Sequence, residues 1–280
     1  MFQLMFPLLW GIKKALDTGA AGLIEDSIST DVLDLVKSIV AFSETNGGRD
    51  LGEFWTAMNN GMTAVKPFGF ALVVTYFLIF LFDAAAKEQI TVDSLIKVMI
   101  QLVLVITLIN NLGTIIMAFF SITESLLTKI TISPTGKNIS VTGSEVVDSM
   151  LNGGDRHLMV FTQALGLWVV HWIAVAACEF AAITRAIEIG WKVVLAPIGV
   201  ANCFEGGASS PGIRYLKGLF ATILSGVALY VVLAIGFSLV TGFISGGDKD
   251  YNSFVLGAVA MLSTAGAAIG VSGKVKEVVG

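Results

Sequence analysis

Long stretches of uncharged, apolar side chains recur along this chain, separated by polar excursions. They fall at about 64–82, 97–120, 158–196, 218–243 and 254–271, and residues 68–82 carry no charge at all. A hydrocarbon core needs roughly 20 apolar residues per helical crossing. No water reaches that layer, so each crossing must satisfy its own backbone as a helix or join a closed barrel. The runs are continuous rather than alternating in period two, which excludes a barrel. The pattern predicts an all-α, polytopic membrane bundle of about five spans.

The segments between the runs add local elements. Met5, Phe6, Leu9 and Trp10 repeat at helical spacing. They predict an amphipathic N-terminal helix, lying in the membrane interface or packed on the bundle. Lys13 and Lys14 follow this apolar stretch instead of preceding it, the reverse of a cleaved signal peptide. In 17–62, Thr30 or Asp31 can cap a helix bearing Val32, Leu35, Val36, Ile39 and Val40, stopped by Asn46-Gly47-Gly48. Asp50 can start another, 51–62, leading into the first span, with Pro67 near its start. In 121–157, residues 129–133 and 138–142 alternate around Pro134-Thr135-Gly136, as in a small β-hairpin. Ser144 can cap a short helix that ends at Asn152-Gly153-Gly154.

Four regions follow: 1–62, 63–120, 121–157 and 158–280, the last with a connector at 185–217. The third apolar stretch, 158–196, is too long for one bilayer. As a single helix it would reach about 58 Å against a hydrocarbon core of roughly 30 Å. Its second half carries Arg185, Glu188 and Lys192, so it is expected to protrude into water, with Pro197 ending or kinking it.

Composition agrees with the pattern. Apolar residues make up 55% of the chain and charged ones 14%, about half the charge of a soluble domain. The mean hydropathy is +0.83. Net charge is −4, and no Lys/Arg cluster of the kind that holds nucleic acid is visible, so any contact with DNA would be transient. Cys178 and Cys203 read as small buried hydrophobes, with a disulfide or metal site as the alternative. Lys and Arg are densest in 83–97, 185–217 and 272–280, which predicts a cytoplasmic C-terminus and an extracytoplasmic N-terminus in the cytoplasmic membrane.

The third helix holds the most informative side chains. His171, Cys178, Arg185 and Lys192 recur every seven residues, on one slowly drifting face, flanked by Glu179 and Glu188. Ionisable groups at membrane depth should face protein or a water-filled path. His171, Glu179, Arg185, Glu188 and Lys192 are therefore candidates for lining a channel or subunit interface, against internal polar packing or a solvated surface. Small residues mark close helix packing: Thr222 and Gly226 in the fourth span, and Gly257, Gly266 and Gly270 in the fifth. They could pack within one chain or between copies. No Walker loop, H-E-x-x-H or G-x-S-x-G is present, and no metal or cofactor is expected. The chain reads as a non-enzyme.

One stretch is more specific. Ala196-Pro197-Ile198-Gly199-Val200-Ala201-Asn202 is followed by Glu205-Gly206-Gly207 and then Ser210-Pro211-Gly212-Ile213-Arg214-Tyr215-Leu216-Lys217-Gly218. This resembles the junction between the third and fourth spans of TrbL-type membrane subunits of type IV secretion systems, those of Gram-positive conjugative elements above all. The local likeness covers about 25 residues. The resemblance implies a polytopic core of a translocation channel, in several copies, beside a secretion ATPase and bitopic scaffold subunits. The implied cargo is single-stranded DNA carrying a relaxase, or a protein. Arg214 and Lys217 would then dock the ATPase or meet phosphates in passing; ordinary anchoring on the cytoplasmic side is the alternative. A small-solute transporter and a membrane scaffold with no conduit are the competing readings of the whole chain.

Overall fold

The computed structural model describes residues 2–26, 52–86, 91–129, 143–151, 156–204, 210–246 and 251–279. Among them every regular element is helical: α1 (Phe2–Asp26), α2 (Gly52–Ala86), α3 (Val92–Asn110), α4 (Leu112–Lys129), α5 (Gly143–Leu151), α6 (His157–Ala201), a 3-10 turn (Asn202–Phe204), α7 (Pro211–Gly246) and α8 (Tyr251–Val279). The expected hairpin around Pro134 and the expected helix over 32–40 lie outside the described residues.

Among the described residues six helices are long and apolar enough to cross a membrane, over Glu53–Ala86, Val92–Asn110, Leu112–Lys129, His157–Phe204, Pro211–Val240 and Asn252–Val271. The sixth arises because the expected span at 97–120 is two helices, broken at Asn111. There the backbone sits at φ −94°, ψ 9°. The Asn111 side-chain Nδ2 donates to the Thr107 carbonyl at 2.8 Å, the same oxygen its own backbone N–H uses at 3.1 Å. A short amide side chain competing for the backbone in this way disfavours a helix interior.

Two further boundaries differ from expectation. Of the two outcomes expected at Pro197, an end or a kink, the end does not occur: α6 continues to Ala201. α7 begins at Pro211, so Arg214 and Lys217 stand in its first turns instead of in a connector. Proline is well placed there, because the first helical position has no intrahelical use for an N–H. Ser210 caps the end: its Oγ accepts from the Ile213 N–H at 3.3 Å.

The chain divides into two compact units, neither contiguous in sequence. The first comprises 1–37, 130–182 and 229–271. Here the later half of α1 packs on α5: Ala20 and Ile24 are buried, as are Val146 and Val147. His157, in the first turn of α6, pairs with Asp17 of α1 at 2.7 Å. This packing concerns the later part of α1; the side chains of Met5, Phe6, Leu9 and Trp10, which carry the expected amphipathic pattern, lie outside the described ones. α6, α7 and α8 pack through Ala174, Val175, Phe237 and Met261. Gly236 meets Thr264 so closely that a Cβ there would overlap the threonine side chain.

The second unit comprises 38–129, 183–228 and 272–280. Its core joins Met58, Met62 and Val73 of α2, Val105 and Ile109 of α3, Leu112 and Ile116 of α4, Ile189, Val193 and Ala196 of α6, and Leu219 and Ile223 of α7. Glycines let α2 lie close on α6. A Cβ on Gly69 would stand 2.7 Å from the Pro197 carbonyl oxygen, and one on Gly61 would stand 2.9 Å from Val194.

Candidate functional site

In the second unit, the charged residues of α6 come together with residues from two other helices. Arg185, Glu188 and Lys192 are spaced three and four apart, so all three meet on one side of the helix. Arg185 Nη1 lies 2.7 Å from Glu188 Oε2, and Lys192 Nζ lies 2.8 Å from Glu188 Oε1. Lys192 Nζ also donates to Thr222 Oγ1 of α7 at 2.6 Å, and Thr222 donates onward to the Gly218 carbonyl at 2.8 Å. Lys276 of α8 adds a third cation, its Nζ 2.5 Å from Glu188 Oε1. Arg185 is only 8% exposed, so this is a partly buried network, not three charges standing free in water.

Sequence spacing identified Arg185, Glu188, Lys192 and Thr222, but for Thr222 as a packing residue rather than a hydrogen-bond partner. It missed Lys276, which joins only because α8 continues as a helix beyond its apolar stretch. It also missed Tyr215, whose hydroxyl donates to the Lys192 carbonyl and whose ring covers Gly199.

Around the junction between α6 and α7, residues within 196–204 and 210–218 pack closely, while Glu205-Gly206-Gly207 lie outside the described residues. Gly199 lies against the Tyr215 ring, where a Cβ would come within 2.5 Å. Gly212 lies against Cys203, with no room for a Cβ. Asn202 Oδ1 accepts from the Tyr76 hydroxyl of α2 at 2.6 Å. Arg214 and Lys217, one turn apart, are exposed.

The other candidates are elsewhere. In the first unit His171 is buried, with Nδ1 3.1 Å from the Met261 sulfur. A cavity of about 20 Å³ opens beside it, lined also by Leu167, Val240 and Gly257. That is room for a single water. Glu179 is half-buried on the same helix, and Gly226 and Gly257 are buried. Gly266 and Gly270 are exposed, and a Cβ at either would meet nothing within 4 Å. Cys178 and Cys203 are free thiols. Among the described residues no three His, Cys, Asp or Glu side chains converge as a metal site would require.

The helices define a multi-pass α-helical membrane protein. No protein-family model, curated protein or solved structure matches the chain.

Proposed function

We propose that this protein is a polytopic channel or scaffold subunit of a type IV secretion machine that transfers a single-stranded DNA–protein substrate. The observation that carries the reading is the α6–α7 junction. Its residues resemble the TrbL-type pattern, Gly199 packs on Tyr215 and Gly212 on Cys203, and Arg214 and Lys217 are exposed at the start of α7. Two exposed cations one turn apart suit a docking surface for an acidic face of the secretion ATPase, or brief contact with phosphates. In this reading the N-terminus is extracytoplasmic and the C-terminus cytoplasmic in the cell membrane. Several copies assemble with bitopic scaffold subunits.

Reversing both charges, Arg214→Glu with Lys217→Glu, should lower transfer in a mating assay while leaving membrane insertion intact. Transfer at the wild-type level would remove this role.

A scaffold with no conduit is the second reading. It is favoured by His171, which is turned into the helix packing against Met261. Cysteines introduced next to His171 and Glu179 discriminate. Cross-links to cargo there support a lining role, whereas cross-links confined to other subunits support the scaffold.

A further inference from the structure

The cluster around Glu188 is not balanced in charge. Arg185, Lys192 and Lys276 all pair with the same carboxylate, which among the described residues leaves two positive charges without a paired anion. Partly buried cations need compensation, because water no longer solvates them fully. The side chains of Arg185 and Lys192 are only 10% and 14% exposed.

The donors are not used up either. A guanidinium carries five N–H groups and an ammonium three. Arg185 makes one side-chain bond, to Glu188, and Lys276 makes one, to the same residue. No side-chain nitrogen or oxygen among the described residues is both sealed from the surface and unpartnered. Lys276 is half-exposed, and any Arg185 side-chain nitrogen without a partner keeps some surface.

What lies outside is apolar. Along α6 the exposed residues Ile183, Ile187, Trp191 and Leu195 form a drifting row that starts opposite the cluster and comes beside it at Trp191 and Leu195. Lys192 Nζ stands 5.7 Å from the Trp191 ring centroid. Tryptophan beside lysine, at the edge of an apolar face, is the arrangement expected at headgroup depth, where aromatic rings and snorkelling cations settle. An acceptor at that depth, matched to a guanidinium fork and an ammonium, is a phosphate.

We propose that Arg185, Lys192 and Lys276 bind the phosphate of an anionic membrane lipid, with Glu188 holding the three cations in place. The site does not depend on the secretion reading. A free phosphate ion shares the chemistry, so the test separates the two.

The full-length protein, purified in neutral detergent, is titrated with phosphatidylglycerol, phosphatidylcholine or inorganic phosphate, and bound lipid is read by native mass spectrometry. Phosphatidylglycerol should be retained in preference to phosphatidylcholine. Lys276→Gln should weaken retention roughly fivefold, and Lys192→Gln a similar further step, as expected for about one lysine's attraction each. Equal retention of the two lipids overturns the proposal. So does unchanged selectivity in Lys276→Gln, a half-exposed position where the fold should be kept. Displacement of the lipid by millimolar inorganic phosphate assigns the cluster to the free ion and overturns the lipid assignment. If the lysine variants do not fold, the wild-type preference between the two lipids still decides.

Discussion

Lys276, near the end of α8, holds its Nζ 2.5 Å from Oε1 of Glu188, eighty-eight positions earlier in α6. One carboxylate thus ties the last helix to the longest one and neutralises part of three cations. The roles within this network are unequal, and the inequality is measurable.

Glu188→Gln should destabilise the protein by about 3 kcal/mol, because it leaves Arg185, Lys192 and Lys276 without their common counter-charge in a partly buried place. Lys276→Gln should cost less than about 1 kcal/mol, since that lysine is half-exposed and water can replace much of its pairing. Thermal unfolding in detergent compares the two, and equal losses would contradict the shared-carboxylate picture.

Gly69→Ala should cost about 1–3 kcal/mol, because its Cβ would press on backbone atoms of Pro197, which cannot rotate away as a side chain can. Gly166→Ala is the control: nothing lies within 4 Å of its Cβ, so stability should stay within about 0.5 kcal/mol. A melting temperature that falls equally in both would mean that α2 does not approach α6 this closely.

Gly236→Ala should be destabilising for a different reason, collision with the Thr264 side chain. Shortening the neighbour should relieve part of it, so Gly236→Ala combined with Thr264→Ala should lose less than the two single losses added, with coupling of about 1 kcal/mol. Strict additivity would place the two residues apart.

Tyr76→Phe removes the hydroxyl that donates to Asn202 Oδ1 at 2.6 Å. The loss should be about 1 kcal/mol. Because Asn202 opens the turn that follows α6, hydrogen exchange should rise at the Asn202–Phe204 turn before it rises in the Val193–Ala196 core.

The spans were legible in the sequence because long apolar runs with few or no charges have few alternatives. Which face of each helix meets a neighbour was not. In lipid, the outward and inward faces of a helix are both apolar, so composition does not separate them. Gly266 and Gly270 carried the small-residue spacing and face open space, whereas Gly236, with no such spacing partner, makes the close contact to Thr264. The break at Asn111 was hidden for a related reason. An asparagine in a long apolar run signals that protein lies nearby, but its competition for the Thr107 carbonyl is a matter of rotamer and backbone. The charged spacing of α6 did predict that Arg185, Glu188 and Lys192 meet. It did not predict Lys276, because nothing along a single helix reveals a cation arriving from another.

The pairing of Asp17 with His157 has a consequence for how the protein is made. The two residues are 140 positions apart. At roughly 5–20 residues per second of synthesis, α1 leaves the ribosome on the order of ten seconds before its partners on α5 and α6 exist. During that interval its apolar side has no protein to rest against, and the membrane surface is the available refuge. Docking of α1 is then a late closing step, and a chain halted before residue 143 should leave this helix sensitive to protease while the first spans are already inserted.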